Sequence, residues 1–440
     1  MLCRPAAQPR PSTPRRRIRR AAGAALAGVA LTLVGGAGVV GSGAVAHAAA
    51  GPIVNIWVPY WATTAGATRF MPHGPVMNEV SPFFLSAVAD GTIVRVDSGS
   101  VMAATIKAAR DDGLKVIPTI TDGAGKGGMA AILADPTRRA NHIANVVSIA
   151  LNGIGGSGGF DGIDLDYEAF AFTDGASTWA ATMPNWVQFV KELSGALHVQ
   201  GKVLTVTIPP VWNATARATG NTTKDYWVYA QDQILASVDR LRLMVYDWSP
   251  GTPSATAPIN WVQQVVTYSN AVADATGQPR SKFELGVPAY GRHWRRSVNG
   301  MPCPDSTRVS TLSVTTINAP GIAPDGVTPQ RDDTTGEMTF SWNETSTGLH
   351  TFSTATIAPP VLPASPPPVI VEADGNAPAV RLGPPPATVT CTVKHTVFYP
   401  DAASIAQKAQ VAVASGWAGV IIWAAGYESD DVYDALGAID

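Results

Sequence analysis

"GFDGIDLDYEAF", Gly159 to Phe170, sets four carboxyl groups into eight positions: Asp161, Asp164, Asp166 and Glu168. Gly, Ile, Leu and Tyr stand between them, and the last three suit a strand better than a solvated loop. The chain as a whole is only 15% charged, so this density asks for a reason. Successive side chains on a strand point to opposite faces. Asp164, Asp166 and Glu168 then share one face, and Ile163, Leu165 and Tyr167 share the other. Asp161 falls just before the strand settles, where a structural role is expected. Cα atoms two apart on a strand lie about 6.6 Å from each other, so neighbouring carboxyls interact. Burial and like charge both raise carboxyl pKa values, and three stacked carboxyls do not all stay ionised. One should hold a proton near neutral pH, as a general acid must. Glu168, the outermost, is best placed to reach a substrate, with Asp166 and Asp164 as a supporting pair. A solvated acidic edge strand is the bland alternative, but it would want polar residues on both faces. Asp-x-Asp-x-Glu holding magnesium or manganese is the sharper one. No Cys/His cluster has zinc spacing, and no metal or cofactor is expected.

Working outward, short β-rich apolar runs alternate with helical patterns. The runs are Ile53–Trp61, Val80–Ser86, Lys115–Thr121, Gly159–Glu168, Val203–Pro209, Arg242–Trp248, Phe283–Tyr290 and Gly419–Trp423. Helical periodicity marks Ser100–Asp112, Thr137–Asn152, Met183–Gln200, Ile259–Thr276 and Ala402–Ser415, the last with Asp401 as its N-cap. Eight strands alternating with helices predict an α/β fold, a (β/α)8 TIM barrel. A doubly wound open sheet would usually show a Gly-rich phosphate loop after its first strand; here that strand runs into "YWATT". In a barrel the apolar face of the acidic strand packs under helices. Its carboxyls then point inward and rise toward the C-terminal mouth, where active sites of this fold are built.

The alternation breaks from Ser297 to about His395. This stretch is rich in Pro, Thr and Gly, and "EMTFSW" and "VTCTVKHTVFY" alternate as exposed antiparallel strands do. It predicts a small β-rich insertion with Pro-rich loops over 297–395, between strands seven and eight, so that 49–296 and 396–440 form the barrel. Cys303 and Cys391 both fall in the insertion, and a bridge between them is expected.

Residues 1–48 read as a secretory leader: basic "RRRIRR", an apolar stretch, then Ala46-His47-Ala48 before a mature start near Ala49. They hold seven Arg and no acid, which leaves 24 basic against 33 acidic residues and a net charge of −9. Secretion to an oxidising compartment is expected, with no membrane tie once the leader is gone. A mildly acidic exported protein gives no reason to expect nucleic acid as partner, and a monomer is expected.

The acidic strand closely resembles that of glycoside hydrolase family 18, the chitinase-like family. "DGIDLDYE" matches in full the family's D-x-x-D-x-D-x-E signature on the fourth barrel strand. "LMVYDWS" resembles the sixth-strand motif and points to Met244, Tyr246 and Asp247. "GVIIWAAG" resembles the eighth strand, where Trp423 would floor the sugar site. "NIWVPYW" resembles the first strand, with Tyr60 at an aromatic position, and "LGVPAYGR" the seventh. The likeness runs from about 53 to 436. One strand departs from it: the third reads "VIPTITDGAGKGG", where many members carry Ser-x-Gly-Gly. "NEVSPFF" and "GWAGVIIWAAGYES" look more like a bacterial branch that trims peptidoglycan in spore germination. That branch usually carries LysM modules, and none is legible here.

The resemblance implies a hydrolase of β-1,4-linked N-acetylglucosamine polymers, chitin or peptidoglycan, acting with retention through the substrate's own acetamido group. It implies Glu168 as general acid/base, Asp166 as acceptor of the acetamido N–H, and Asp164 as a partner sharing a proton with Asp166. Tyr246 would donate to the acetamido oxygen, while Asp247, Met244, Trp423 and Tyr60 would bind the sugar. Trp57, Trp61, Trp212, Trp248 and Trp294, near strand ends, could line a cleft. A non-catalytic sugar-binding barrel is the alternative; inactive relatives typically lose the terminal Glu, which this chain keeps.

Overall fold

The computed structural model describes residues 51–97, 99–220, 225–298, 310–348 and 389–439. The expected leader (1–48) and Cys303 lie outside them. Eight parallel strands close into a barrel. In order they are Ile53–Pro59, Glu79–Ala87, the two pieces Lys115–Val116 and Thr119–Asp122, Gly162–Asp166, Val203–Ile208, Arg240–Met244, Phe283–Pro288 and Gly419–Trp423. Closure comes from strand one, which pairs with both strand eight and strand two. The expected (β/α)8 barrel is therefore the fold, with a short antiparallel ribbon, Ile93–Arg95, added to strand two.

The period-two reading of the acidic strand holds from Ile163 to Asp166. Ile163, Leu165 and Tyr167 are fully buried in the layer between sheet and helices. Tyr167 reaches His142 of the helix Pro136–Asn152, with 2.7 Å between its hydroxyl and Nε2, and stacks on Phe189 of the helix Trp179–His198. Asp161 sits at the strand's base and accepts the Val116 N–H at 2.8 Å, tying strand four to strand three.

Inside the barrel the lower layer is charged. Arg242 of strand six is fully buried and donates to Glu284 (3.0 Å), Glu79 (3.2 Å) and Ser81 (2.7 Å). Arg240 also holds Glu79 and Glu284, and Asn55 donates to Glu284 at 2.6 Å. Buried charge is tolerated only where it is paired and hydrogen-bonded. Burial by itself would lower the pKa of Arg242, but Glu284, Asp164 and Glu79 outweigh it and raise it.

Between strands seven and eight the chain builds a second, five-stranded antiparallel sheet. Its strands are Tyr290–Ser297, Ser310–Thr315, Gln330–Asp332, Glu337–Gly348 and Val389–Tyr399, so it extends beyond the composition break at both ends. Glu337 in this sheet is fully buried and accepts the N–H groups of Thr256 and Ala257, both at 2.8 Å. Lys408 of the helix Ala402–Ala414 lies 3.1 Å from the same carboxylate. Asp401 caps that helix as expected, accepting the Ser404 N–H at 2.9 Å.

Candidate active site

Strand pairing puts Asp164 beside Thr119 and Thr205, and Asp166 beside Thr121 and Thr207. Asp164 is fully buried. It accepts from Thr205 (2.8 Å), Thr119 (2.9 Å), Thr207 (3.0 Å) and the indole of Trp57 (3.1 Å). Arg242 lies 3.3 Å away. Every partner is a donor. A divalent cation would need these oxygens free and no guanidinium beside them, so the metal reading of Asp-x-Asp-x-Glu does not fit this donor set.

One step up the strand the surroundings change. Among the described residues no cation contacts Asp166, and its Oδ1 is a buried acceptor without a partner. Burial, then the charges of Glu168, Asp164 and Asp122, raise its pKa well above the ordinary carboxyl value. The two arginines below are engaged with Glu79, Glu284 and Asp164.

Glu168 departs from the period-two expectation. The strand ends at Asp166, and Glu168 adopts helical backbone angles (φ −98°, ψ −12°) at the head of the turn Ala169–Phe172. Its side chain still faces the mouth, where it lines a cleft. Burial, then Asp122 and Asp247, push it up to about 7. Asp122, at the end of strand three, accepts the N–H of Glu168 at 3.1 Å and of Ala169 at 2.8 Å. Burial pushes its carboxyl up to about 7 as well. The sequence offered no sign of Asp122 except the departure of "TITD" from the usual third-strand motif.

Tyr246 and Asp247 also lie beyond their strand, which stops at Met244. Asp247 takes a left-handed backbone (φ 59°) and accepts from Arg292 at 2.5 and 3.1 Å. Tyr246 is partly exposed to the cleft, and desolvation first, then Tyr290, raises its pKa. It therefore remains a phenol able to donate. Gly286 on strand seven gives it room: a Cβ there would stand 3.3 Å from the Tyr246 ring and 2.6 Å from the Leu243 carbonyl.

The cleft has a volume of about 310 Å³. Beside Glu168, Met244, Tyr246 and Asp247, its walls include Trp212, Tyr226, Trp248 and Phe172. Trp423 and Tyr60 do not line it. Trp423 stands in an aromatic box, its ring centroid 5.1 Å from Phe83, 5.8 Å from Trp57 and 6.2 Å from Trp61. Tyr60 packs edge-on against Trp61 at 4.8 Å. Two of the tryptophans read as cleft liners are structural instead: Trp57 is buried under Trp423, and Trp294 is buried with its N–H on the Pro250 carbonyl at 3.0 Å. Cys391 is buried in the second sheet.

A barrel with a row of inward carboxyls opening into an aromatic cleft defines the class: the protein is a glycoside hydrolase. Residues 57–428 match the family model "Glycosyl hydrolases family 18", and the chain belongs to that family. Over 241 residues it is 25% identical to the "Cortical fragment-lytic enzyme" of Bacillus anthracis, a match covering 54% of this chain and 50% of that one. Over 152 residues it is 32% identical to the "Probable endochitinase" of Caenorhabditis elegans, covering 31% and 22%. The chain thus spans half the length of the Bacillus enzyme and less of the nematode one. The chitinase of Chromobacterium violaceum ATCC 12472 superposes with a TM-score of 0.62 at 21% identity, over 88% of this chain and 98% of that one. The spore cortex-lytic enzyme SleL of Bacillus megaterium QM B1551 gives 0.62 at 14% identity, over 88% and 74%. At these identities the structural likeness is one of fold.

Proposed function

We propose that this glycosidase is exported and cleaves β-1,4-linked N-acetylglucosamine polymers, chitin or the acetylated glycan of peptidoglycan, through the substrate's own acetamido group. The observation that carries the reading is the contrast between a donor-saturated Asp164 and the two carboxyls above it, Asp166 with an unpartnered Oδ1 and Glu168 on the cleft wall. Glu168 gives its proton to the glycosidic oxygen as the bond to the anomeric carbon breaks. The acetamido carbonyl oxygen attacks that carbon and forms an oxazolinium ring. The unpartnered Oδ1 of Asp166 accepts the acetamido N–H, and Tyr246 donates to the acetamido oxygen. Water, giving its proton to Glu168, then opens the ring and restores the β configuration. General acid–base help of this kind is worth about 10²- to 10⁴-fold, and the tethered nucleophile adds a proximity advantage. Asp247 and Met244, on the cleft wall, hold the sugar. In this reading Asp164 anchors the row through its donors rather than sharing a proton with Asp166.

The basic and apolar leader supports export, with a Cys303–Cys391 bridge made on the way. Chitohexaose and purified peptidoglycan are the substrates to test, with products followed by NMR at the new reducing end. Retained β configuration is expected, and Glu168→Gln should abolish turnover while sugar binding persists. An inverted product, or full activity of E168Q, would overturn the mechanism. Binding without any new reducing ends from the unmodified protein would make it a sugar-binding barrel instead.

A further inference from the structure

We propose that Asp122 is a positioning residue for Glu168: its carboxylate clamps the turn on which Glu168 rides. The inference rests on Glu168 as general acid and adds what holds that acid in place.

Strand four stops pairing at Asp166, with Thr121 and Thr207 as its last partners. Glu168 stands two residues beyond, so the sheet ladder no longer fixes its backbone. The two oxygens of Asp122 take over, one on the N–H of Glu168 and the other on the N–H of Ala169. Two charge-assisted bonds from one carboxylate fix an orientation as well as a position. The loop leaving Asp122 is in turn bound to the far side of the same turn, because Asp174 accepts the Gly127 N–H at 2.6 Å. The segment from strand three and the strand-four turn are therefore cross-tied twice, at Glu168–Ala169 and again at Asp174. A misplacement of about 1 Å in a catalytic group can cost about 10²-fold in rate, so such a clamp matters for turnover rather than for sugar binding.

The clamp also acts through charge. The groups facing Glu168 are Asp166 on its own strand, Asp122 from strand three, and Asp247 with the phenol of Tyr246 after strand six. The phenols of Tyr226 and Tyr229, from the segment after strand five, complete the set. Asp174 faces Asp122. Asp247 is in turn paired with Arg292. An ionised Asp122 therefore disfavours loss of the Glu168 proton, and removing that charge must ease it.

The test uses the full chain, chito-oligosaccharide hydrolysis and three variants. Asp122→Asn keeps the shape but loses the charge and one of the two acceptors: the alkaline limb of the kcat/KM profile should move to lower pH by on the order of one unit, with some loss of kcat. Asp122→Ala loses the clamp as well: kcat should fall on the order of 10- to 100-fold with KM within about twofold. Asp122→Glu keeps the charge on a longer arm and should lower kcat while leaving the limb in place; it serves if the neutral variants do not fold. An N variant whose profile superimposes on the parent's, an A variant whose loss lies in KM, or an E variant with parental kcat would each overturn the proposal. E168Q assayed alongside separates the two readings. If E168Q turns over, the assignment of the acid has failed; if E168Q is dead and the Asp122 variants match the parent, only the clamp has failed.

Discussion

Arg242→Met removes the cation that, among the described residues, touches Asp164 at the base of the carboxyl row. The guanidinium makes three hydrogen bonds of 2.7 to 3.2 Å and stands 3.3 Å from Asp164. Methionine fills much of the volume but leaves Asp164 without a counter-charge, while Arg240 still serves Glu79 and Glu284. Breaking a buried pair by deleting one partner costs about 3–5 kcal/mol, because a charge is stranded in low dielectric. The surviving Arg240 contacts place the expected loss near the lower end of that range. Urea unfolding followed by tryptophan fluorescence measures it, since Trp57 lies against both Asp164 and Arg242. A loss under about 1 kcal/mol would refute the view that Arg242 neutralises the base of the row.

Two further outcomes follow from the upper half of the site. With Glu168 raised to about 7, kcat/KM should be highest below that pH and fall about tenfold per unit above it; a profile still rising at pH 8 would contradict Glu168 as the acid. Tyr246→Phe should lower kcat about 10²- to 10³-fold, the usual cost of losing one donor to a developing charge, and a kcat within twofold of the parent would exclude that role.

Much of the barrel was legible because its strands are short apolar runs and its helices keep a clear 3.6-residue period. Ile259–Thr276 begins and ends where the periodicity places it. The acidic row was legible for the same reason: Asp164 and Asp166 obey period two against Ile163 and Leu165. The rule failed at the strand ends, where the chemistry lies. Glu168, Tyr246 and Asp247 stand beyond the last ladder bonds, and their orientation comes from long-range partners, Asp122 and Arg292, that no local pattern encodes. Arg242 was hidden for a related reason. An arginine in a strand reads as surface until three carboxyls from distant strands are seen around it. By sequence Trp57 and Trp294 suit a cleft wall and fold packing equally, and tertiary packing gave their N–H groups partners inside the protein.

Glu337 belongs to the inserted sheet, yet the two amides it grips, Thr256 and Ala257, are barrel residues. The Thr256 carbonyl in turn receives the Trp248 N–H at 3.0 Å, and Trp248 is part of the cleft wall. The appendage thus works as a buttress: a change at Glu337 would travel along this short route to the cleft wall at Trp248.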